Sequence, residues 1–167
     1  HGRDRIMCQV DINELIREGT PIKGRIIFWV DDLDAGQPFA APLSLKSAWN
    51  TAVYLRENYP ETQVAILYDS TMPIPLGSFD RARARELGIV LTPYDNHVHP
   101  TIKNDFISYN RATDRTEQDL AWDLLVLSPR RTPGAEALNT AKIRGLEAKA
   151  EAFLDRSPKM VRPDQVV

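Results

Sequence analysis

Short apolar runs and one amphipathic stretch alternate in the first half of the chain. Residues 25–30 (RIIFWV) and 64–68 (VAILY) are rich in β-branched and aromatic side chains, a pattern typical of strands buried on both faces. Between them, apolar residues recur at helical spacing and form a single stripe: Leu45, Ala48, Trp49, Ala52 and Val53. Pro60 ends this helix, because the residue before a proline is disfavoured in the α conformation. Strand, helix and strand at this spacing predict a βαβ unit with parallel strands.

Further elements are predicted on both sides of this unit. An N-terminal helix begins at Asp11, the N-cap of a capping box, and stops at Gly19. A second helix covers residues 78–87 and stops at Gly88, and residues 89–92 form a third strand. The order β-α-β-α-β favours a parallel sheet.

The pattern changes in the second half of the chain. Residues 103–110 are predicted to form a strand, 111–116 a turn and 117–122 the returning strand, before a buried strand at 124–127. Residues 135–154 are predicted to be mostly helical. The predicted fold class is α/β: a Rossmann-like three-layer domain with a central parallel sheet and a β-meander. This arrangement belongs to the second dinucleotide-binding domain of flavin disulfide reductases.

Length and composition indicate one globular domain. With 167 residues, 43% of them hydrophobic and 26% charged, the chain can bury a substantial core. We expect a single domain over 1–167, with an N-terminal helix and connector (1–24), a Rossmann-like core with its meander (25–134) and a helical and extended tail (135–167). A net charge of −2 gives no electrostatic reason to expect nucleic acid or a membrane surface as a partner. One cysteine, Cys8, excludes an internal disulfide, and the composition is typical of cytoplasmic proteins.

The turn after the first strand of the βαβ unit lacks the usual phosphate-binding sequence. Dinucleotide-binding folds carry G-x-G-x-x-G there, so that backbone N–H groups approach the phosphates. Residues 31–38 (DDLDAGQP) instead contain one glycine and three carboxylates. Asp69 ends the second strand, where an acidic side chain can accept hydrogen bonds from a ribose. The sequence therefore predicts nucleotide-fold architecture that has lost its phosphate site.

Two clusters have residue types that bind metals. His97 and His99 would place both imidazoles on one side of an extended segment, a geometry found in metal sites, but we favour a polar loop after the third strand. Asp31, Asp32 and Asp34 offer oxygen ligands for a hard cation, but we favour an acidic loop or carboxylates that cap helix N-termini. No metal ligand is assigned.

Other candidates have an ordinary alternative as well. Cys8 would be a reactive thiol if a cation or a helix N-terminus lowered its pKa, and we favour an incidental thiol. Arg130 and Arg131 would contact a flavin phosphate or a partner carboxylate, against the alternative of a solvated loop. The sequence contains no serine–histidine–acid arrangement, P-loop or metalloprotease helix, so no catalytic residue is assigned.

Three segments together resemble the heterodisulfide reductase A family of flavin and iron–sulfur electron-transfer proteins. They are SAWNTAVYLRENYPETQVAILY (47–68), DLLVLSPRRTPG (123–134) and SPKMVRP (157–163). The resemblance implies a place between two halves of an FAD-binding domain in a longer parent chain. It also implies flavin contact at Ser128 and Pro129 with Arg130 beside them.

The chain departs from this family at the cluster-binding cysteines. The family places them at the end of the first strand and the start of the next helix. The corresponding positions here lie around Asp31-Asp32 and in residues 40–45 (AAPLSL), without a sulfur ligand. No iron–sulfur cluster is expected in this segment, and FAD or clusters would be held elsewhere in the parent.

Three functional hypotheses follow. The first is a domain of an FAD-dependent oxidoreductase that has no cofactor of its own and serves in scaffolding and docking; its partners would be redox proteins and the other domains of the parent. The second is an interaction module without any redox role. The third is a weak NAD(H)-binding domain that uses Asp69 for the ribose.

Overall fold

The computed structural model describes residues 5–31, 40–72 and 76–128, and its architecture is α/β. The helices are α1 (Gln9–Arg17), α2 (Ala40–Asn58) and α3 (Ser78–Leu87). The strands are β1 (Ile6–Cys8), β2 (Arg25–Val30), β3 (Gln63–Asp69), β4 (Ile89–Tyr94), β5 (Thr101–Ile102), β6 (Phe106–Asn110), β7 (Glu117–Ala121) and β8 (Leu124–Leu127). Five strands form a parallel sheet in the order β1-β8-β2-β3-β4, and β5-β6-β7 form an antiparallel sheet. The predicted fold class is confirmed.

The first βαβ unit forms as its apolar pattern predicts. Strand β2 pairs in parallel with both β3 and β8, and its side chains alternate between two apolar layers. The buried stripe of α2 contains Leu45, Ala48, Trp49, Ala52 and Leu55. The helix begins at Ala40, five residues before that stripe, and accepts Pro42 because first-turn N–H groups have no partner within a helix. Among the described helices, none is long and apolar enough to cross a bilayer.

The parallel sheet separates two apolar cores. On one face, Ile26, Phe28 and Val30 of β2 pack with the helices. On the other face, Ile27 and Trp29 of the same strand pack with side chains from the meander and neighbouring strands: Tyr94, Ile107, Leu120 and Trp122. Successive residues of β2 from Ile26 to Val30 therefore alternate between the two cores.

The N-terminal segment differs from its prediction in two respects. Strand β1 was not predicted; it joins the sheet edge by pairing with β8, more than a hundred residues away. The N-cap of α1 is Cys8 and not Asp11. Asp11 lies in the first turn, where its carboxylate accepts a hydrogen bond of 2.7 Å from the Cys8 N–H. Gly19 does follow the end of the helix, with a φ of 70° in the left-handed region.

The meander begins two residues earlier than predicted, with the short strand β5, and its next strand starts only at Phe106. The segment 103–110 is not one strand, because the Lys103 N–H donates to the Phe106 carbonyl and closes a turn between β5 and β6. Strand β4 runs two residues further than predicted and contains Pro93, which an edge strand tolerates. Arg5 fastens the meander to the parallel sheet: its Nη2 donates to the Trp122 carbonyl at 2.8 Å and its guanidinium lies over the indole.

A clamp joins the start of β2 to the residue before β8. The Arg25 side chain donates two hydrogen bonds of 2.9 and 3.0 Å to the Asp123 carboxylate, and the Arg25 N–H adds a third. These hydrogen bonds lower the pKa of Asp123 to about 2. Gly24 permits this approach, since its φ is +93° and an added Cβ would lie 2.8 Å from Asp123 Oδ2.

We expect Gly24→Ala to lower the free energy of unfolding by about 1–3 kcal/mol, because alanine is strained at that φ and its methyl group meets Asp123. The control is Gly19→Ala, which also has a positive φ but open space around the added Cβ, so it carries the backbone strain without the contact with Asp123 and should cost less. Urea denaturation measures both, and an equal cost for the two variants would contradict the clamp geometry.

We also expect the clamp to make stability depend on acid pH. The pKa of Asp123 is about 2 in the folded chain against an ordinary 3.8, so its stabilisation is complete above about pH 4 and disappears as pH falls toward 2. Asp123→Asn should cost up to about 1 kcal/mol at pH 7, since the pair is partly exposed, and less near pH 2. Urea denaturation between pH 2 and 7 checks this, with Glu61→Gln at an exposed position as the control. A cost for Asp123→Asn that is constant with pH would refute the assignment.

Candidate functional site

The carboxyl-terminal ends of the five parallel strands meet at one edge of the sheet. Cys8, Val30, Asp69, Tyr94 and Leu127 are the last residues of these strands. We call this the carboxyl edge. Ligands of open α/β sheets bind outside this edge, near the point where the chain reverses its direction across the sheet. The residues that follow the strands are therefore the first candidates for a site.

A nearly buried carboxylate lies directly after β2. Asp31 is two residues beyond Trp29, and the alternation of a strand puts both side chains on the meander face. The Asp31 side chain is 8% exposed, and its Oδ2 lies 3.7 Å from His99 Nδ1. The fully buried Tyr94 lies nearby. Burial, followed by the charge of Asp31, raises the pKa of Tyr94 far above its ordinary value, so this phenol remains protonated. Asp31 is the first of the three carboxylates predicted in the turn after β2. The other two, Asp32 and Asp34, lie outside the described residues.

A second carboxylate organises the loop after β4. Asp95 Oδ1 lies 2.6 Å from His97 Nδ1 and accepts a hydrogen bond from the His97 N–H, while Arg115 Nε lies 3.1 Å from Oδ2. The hydrogen bonds from His97 are the main reason why the pKa of Asp95 is lowered. His97 and His99 therefore contact two different carboxylates. No group of three metal-binding side chains occurs in the part of the chain that the structure describes.

The third carboxylate is Asp69, the candidate for ribose binding. Its Oδ1 accepts hydrogen bonds of 2.7 Å from the Thr71 N–H and 2.8 Å from the Thr71 hydroxyl. Asp69 lies where the sequence predicts it, at the end of the second strand of the βαβ unit, but it also shapes its own turn. A ribose would compete with Thr71 for this oxygen.

Ser128 is held by a buried glutamine that the sequence analysis missed. Gln9 is 3% exposed, and its Nε2 donates to Ser128 Oγ at 2.8 Å and to the Ser44 carbonyl at 3.2 Å. The Ser128 N–H donates to the Trp29 carbonyl. Gln9, the first residue of α1, thus joins this helix to α2 and to the end of β8. No local pattern marks it in the sequence, because its partners lie 35 and 119 residues away.

Several other predicted residues fall outside the part of the chain that the structure describes. These are Pro129, Arg130 and Arg131, together with most of the turn 31–38. Cys8 is half-buried at the start of α1, on the carboxyl edge. The structure therefore brings Asp31, Asp69 and Ser128 to one edge, as the predicted topology requires.

Three described carboxylates lie along this edge, and one of them, Asp95, is paired with Arg115. Asp31, Asp69 and Asp95 all follow or end parallel strands there, and Asp31 is removed from solvent. Carboxylates accept hydrogen bonds but donate none when ionised, so they do not form a phosphate cradle. The edge suits hydrogen-bond donors and cations better than a pyrophosphate.

No protein-family model and no curated protein matches the sequence. The solved structures that match include histamine dehydrogenase from Rhizobium sp. 4-9, over 84% of this chain with a TM-score of 0.50 and 11% identity. They also include 6-hydroxypseudooxynicotine amine oxidase from Pseudomonas geniculata N1, over 86% of this chain with a TM-score of 0.51 and 17% identity. This chain spans 19% of each of them, about a fifth of their length. A pyridine nucleotide-disulfide family oxidoreductase from Enterococcus faecalis V583 matches 65% of this chain and 22% of its own, with 16% identity and a TM-score of 0.38. At these identities the two better matches show a common fold.

We expect Gln9→Met to lower the free energy of unfolding by about 1 kcal/mol, because the substitution removes a buried donor and with it the hydrogen bond to the half-buried Ser128 hydroxyl. Gln63→Met, the same substitution at an exposed strand position, should stay within about 0.5 kcal/mol. Urea denaturation compares the two. Equal costs would mean that the Gln9 hydrogen bonds do not hold the edge together.

Proposed function

We propose that this chain is a Rossmann-like domain of a flavin-dependent oxidoreductase and that it serves there as a scaffold and docking domain without a cofactor of its own. The observation that carries the proposal is the row of carboxylates along the carboxyl edge, with Asp31 nearly buried among them. The fold provides the place for a dinucleotide, while the side chains at that place oppose its phosphates.

The burial of Asp31 strengthens its repulsion of a phosphate. A pyrophosphate beside β2 would bring its negative charges close to Asp31, whose side chain has little contact with water. Repulsion between like charges is several times stronger in such a partly desolvated site than in water. The described residues of the edge therefore do not fit FAD or NAD as a resident group, and we assign no chemical step to such a cofactor in this chain.

Support for an oxidoreductase parent comes from the fold and from the resemblance in sequence. The two better structural matches are named as a dehydrogenase and an amine oxidase, and this chain corresponds to about a fifth of each. Residues 47–68 and 123–134 resemble the heterodisulfide reductase A family. In such a parent the flavin would supply the redox chemistry, and this domain would contact redox partner proteins and the other domains.

A weak NAD(H) site is the second candidate, and the position of Asp69 favours it. This carboxylate ends the second strand of the βαβ unit, where Rossmann domains bind the adenosine ribose. The hydrogen bonds from Thr71 weaken the case, because they occupy Oδ1 of Asp69 and leave a ribose only Oδ2 without competition from Thr71.

We expect the purified chain, incubated with FAD and then desalted, to show no stoichiometric flavin absorption band in the visible region. We also expect no heat of binding in calorimetric titrations with NADH up to about millimolar concentration. A retained flavin band would overturn the cofactor-free assignment. Saturable NADH binding that Asp69→Asn abolishes would instead establish the second candidate, with Asp119→Asn, on the meander, as the matched control.

A further inference from the structure

A groove of about 670 Å³ opens at the opposite end of the parallel sheet, between the sheet and β7. We call it the amino-edge groove. Its floor is a row of three apolar side chains on neighbouring strands, since Ile27 pairs with Ala65 and Ala65 with Val90 in the parallel register. Leu120 of β7 contributes to the wall. The small side chain of Ala65 leaves the middle of the floor low, and this provides space for an apolar ligand.

The floor becomes more exposed from β2 toward β4. Ile27 is 1% exposed, whereas Val90 is 55% exposed, so the groove is closed beside β2 and open beside β4. Both faces of a parallel sheet are normally covered, so the exposure of Val90 at the open end of this row is unusual. The volume falls within the range of pockets that hold small organic molecules, about 300–1,000 Å³.

The two arginines that line the groove differ in their partners. The charge of Arg25 is neutralised by the paired carboxylate of Asp123. Arg56 donates from Nε to the Leu87 carbonyl and from Nη1 to the carbonyls of Pro60 and Thr62. Carbonyl oxygens fix the orientation of a guanidinium but leave its positive charge uncompensated.

This difference determines which charge a ligand should carry. Arg56 is half-buried, and within the described segments it forms no ion pair with a carboxylate. A partly desolvated cation that faces an apolar groove is stabilised by an anion placed beside it. Glu61 also lies on the rim, but it is exposed and pairs with neither arginine.

We propose that the amino-edge groove binds a small amphiphilic carboxylate. The apolar body of the ligand lies over Ala65, between Val90 and Leu120, and its carboxylate lies beside Arg56. The site is separate from the carboxyl edge and does not depend on the flavin-linked role, since it is formed by the beginnings of the strands and by β7.

Calorimetric titration of the 167-residue chain with octanoate and octanol tests the proposal, because the two probes share an apolar body and differ in charge. Octanoate should bind at least ~10-fold more tightly than octanol, given that charge-assisted hydrogen bonds are about twice as strong as neutral ones. Equal affinities would overturn the role of Arg56, and the absence of octanoate binding at millimolar concentration would overturn the site.

Two variants at Val90 separate charge from shape. Val90→Glu and Val90→Gln place side chains of similar size on the exposed end of the floor, but the carboxylate of Val90→Glu repels an anionic ligand. Octanoate should bind several-fold more weakly to Val90→Glu than to Val90→Gln, while octanol should not distinguish them. Equal octanoate affinities for the two variants would refute the placement. Circular dichroism confirms that each variant is folded.

Discussion

The parallel ladder that joins β2 to β3 on one side and to β8 on the other fixes the rest of this structure. Because β2 is hydrogen-bonded along both edges, each of its side chains must enter one of two apolar layers. The helices cover Phe28 and Val30 on one face of the sheet, and the meander covers Ile27 and Trp29 on the other. Because all five strands are parallel, the residues that follow them lie together at the carboxyl edge. The residues that precede the strands lie together at the opposite end of the sheet.

The apolar pattern predicts the elements whose signals are local. Residues 25–30 and 124–127 are recognised as buried strands by composition alone, and Gly19 and Gly88 end helices because they adopt positive φ. The strands of the meander are also predicted from local sequence, except at Lys103. There, a turn hydrogen bond to the Phe106 carbonyl interrupts the segment that the sequence predicts as one strand. Local signals thus provide the fold class and most of the element bounds.

Elements determined by distant partners could not be predicted. Strand β1 has three residues, too few for a pattern, and exists because β8 offers an unpaired edge. Gln9 is polar and directly follows β1, yet it is buried because Ser128 and the Ser44 carbonyl satisfy its amide. The candidate site shows the same division: the position of Asp69 follows from the strand order, whereas its hydrogen bonds from Thr71 depend on the turn that follows the strand.

The two edges of the sheet have opposite chemistry, and this contrast bears on function more than the fold does. At the carboxyl edge, where Rossmann domains hold phosphates, Asp31 is nearly buried and Tyr94 remains protonated beside it. At the amino-terminal ends of the strands, Arg56 is oriented by carbonyl oxygens and lines the groove that has the apolar floor. A fold shared with dehydrogenases and oxidases is compatible with many functions, and the side chains decide which ligands the fold admits. Our two proposals follow from this difference: no resident dinucleotide at the carboxyl edge, and an apolar anion in the amino-edge groove.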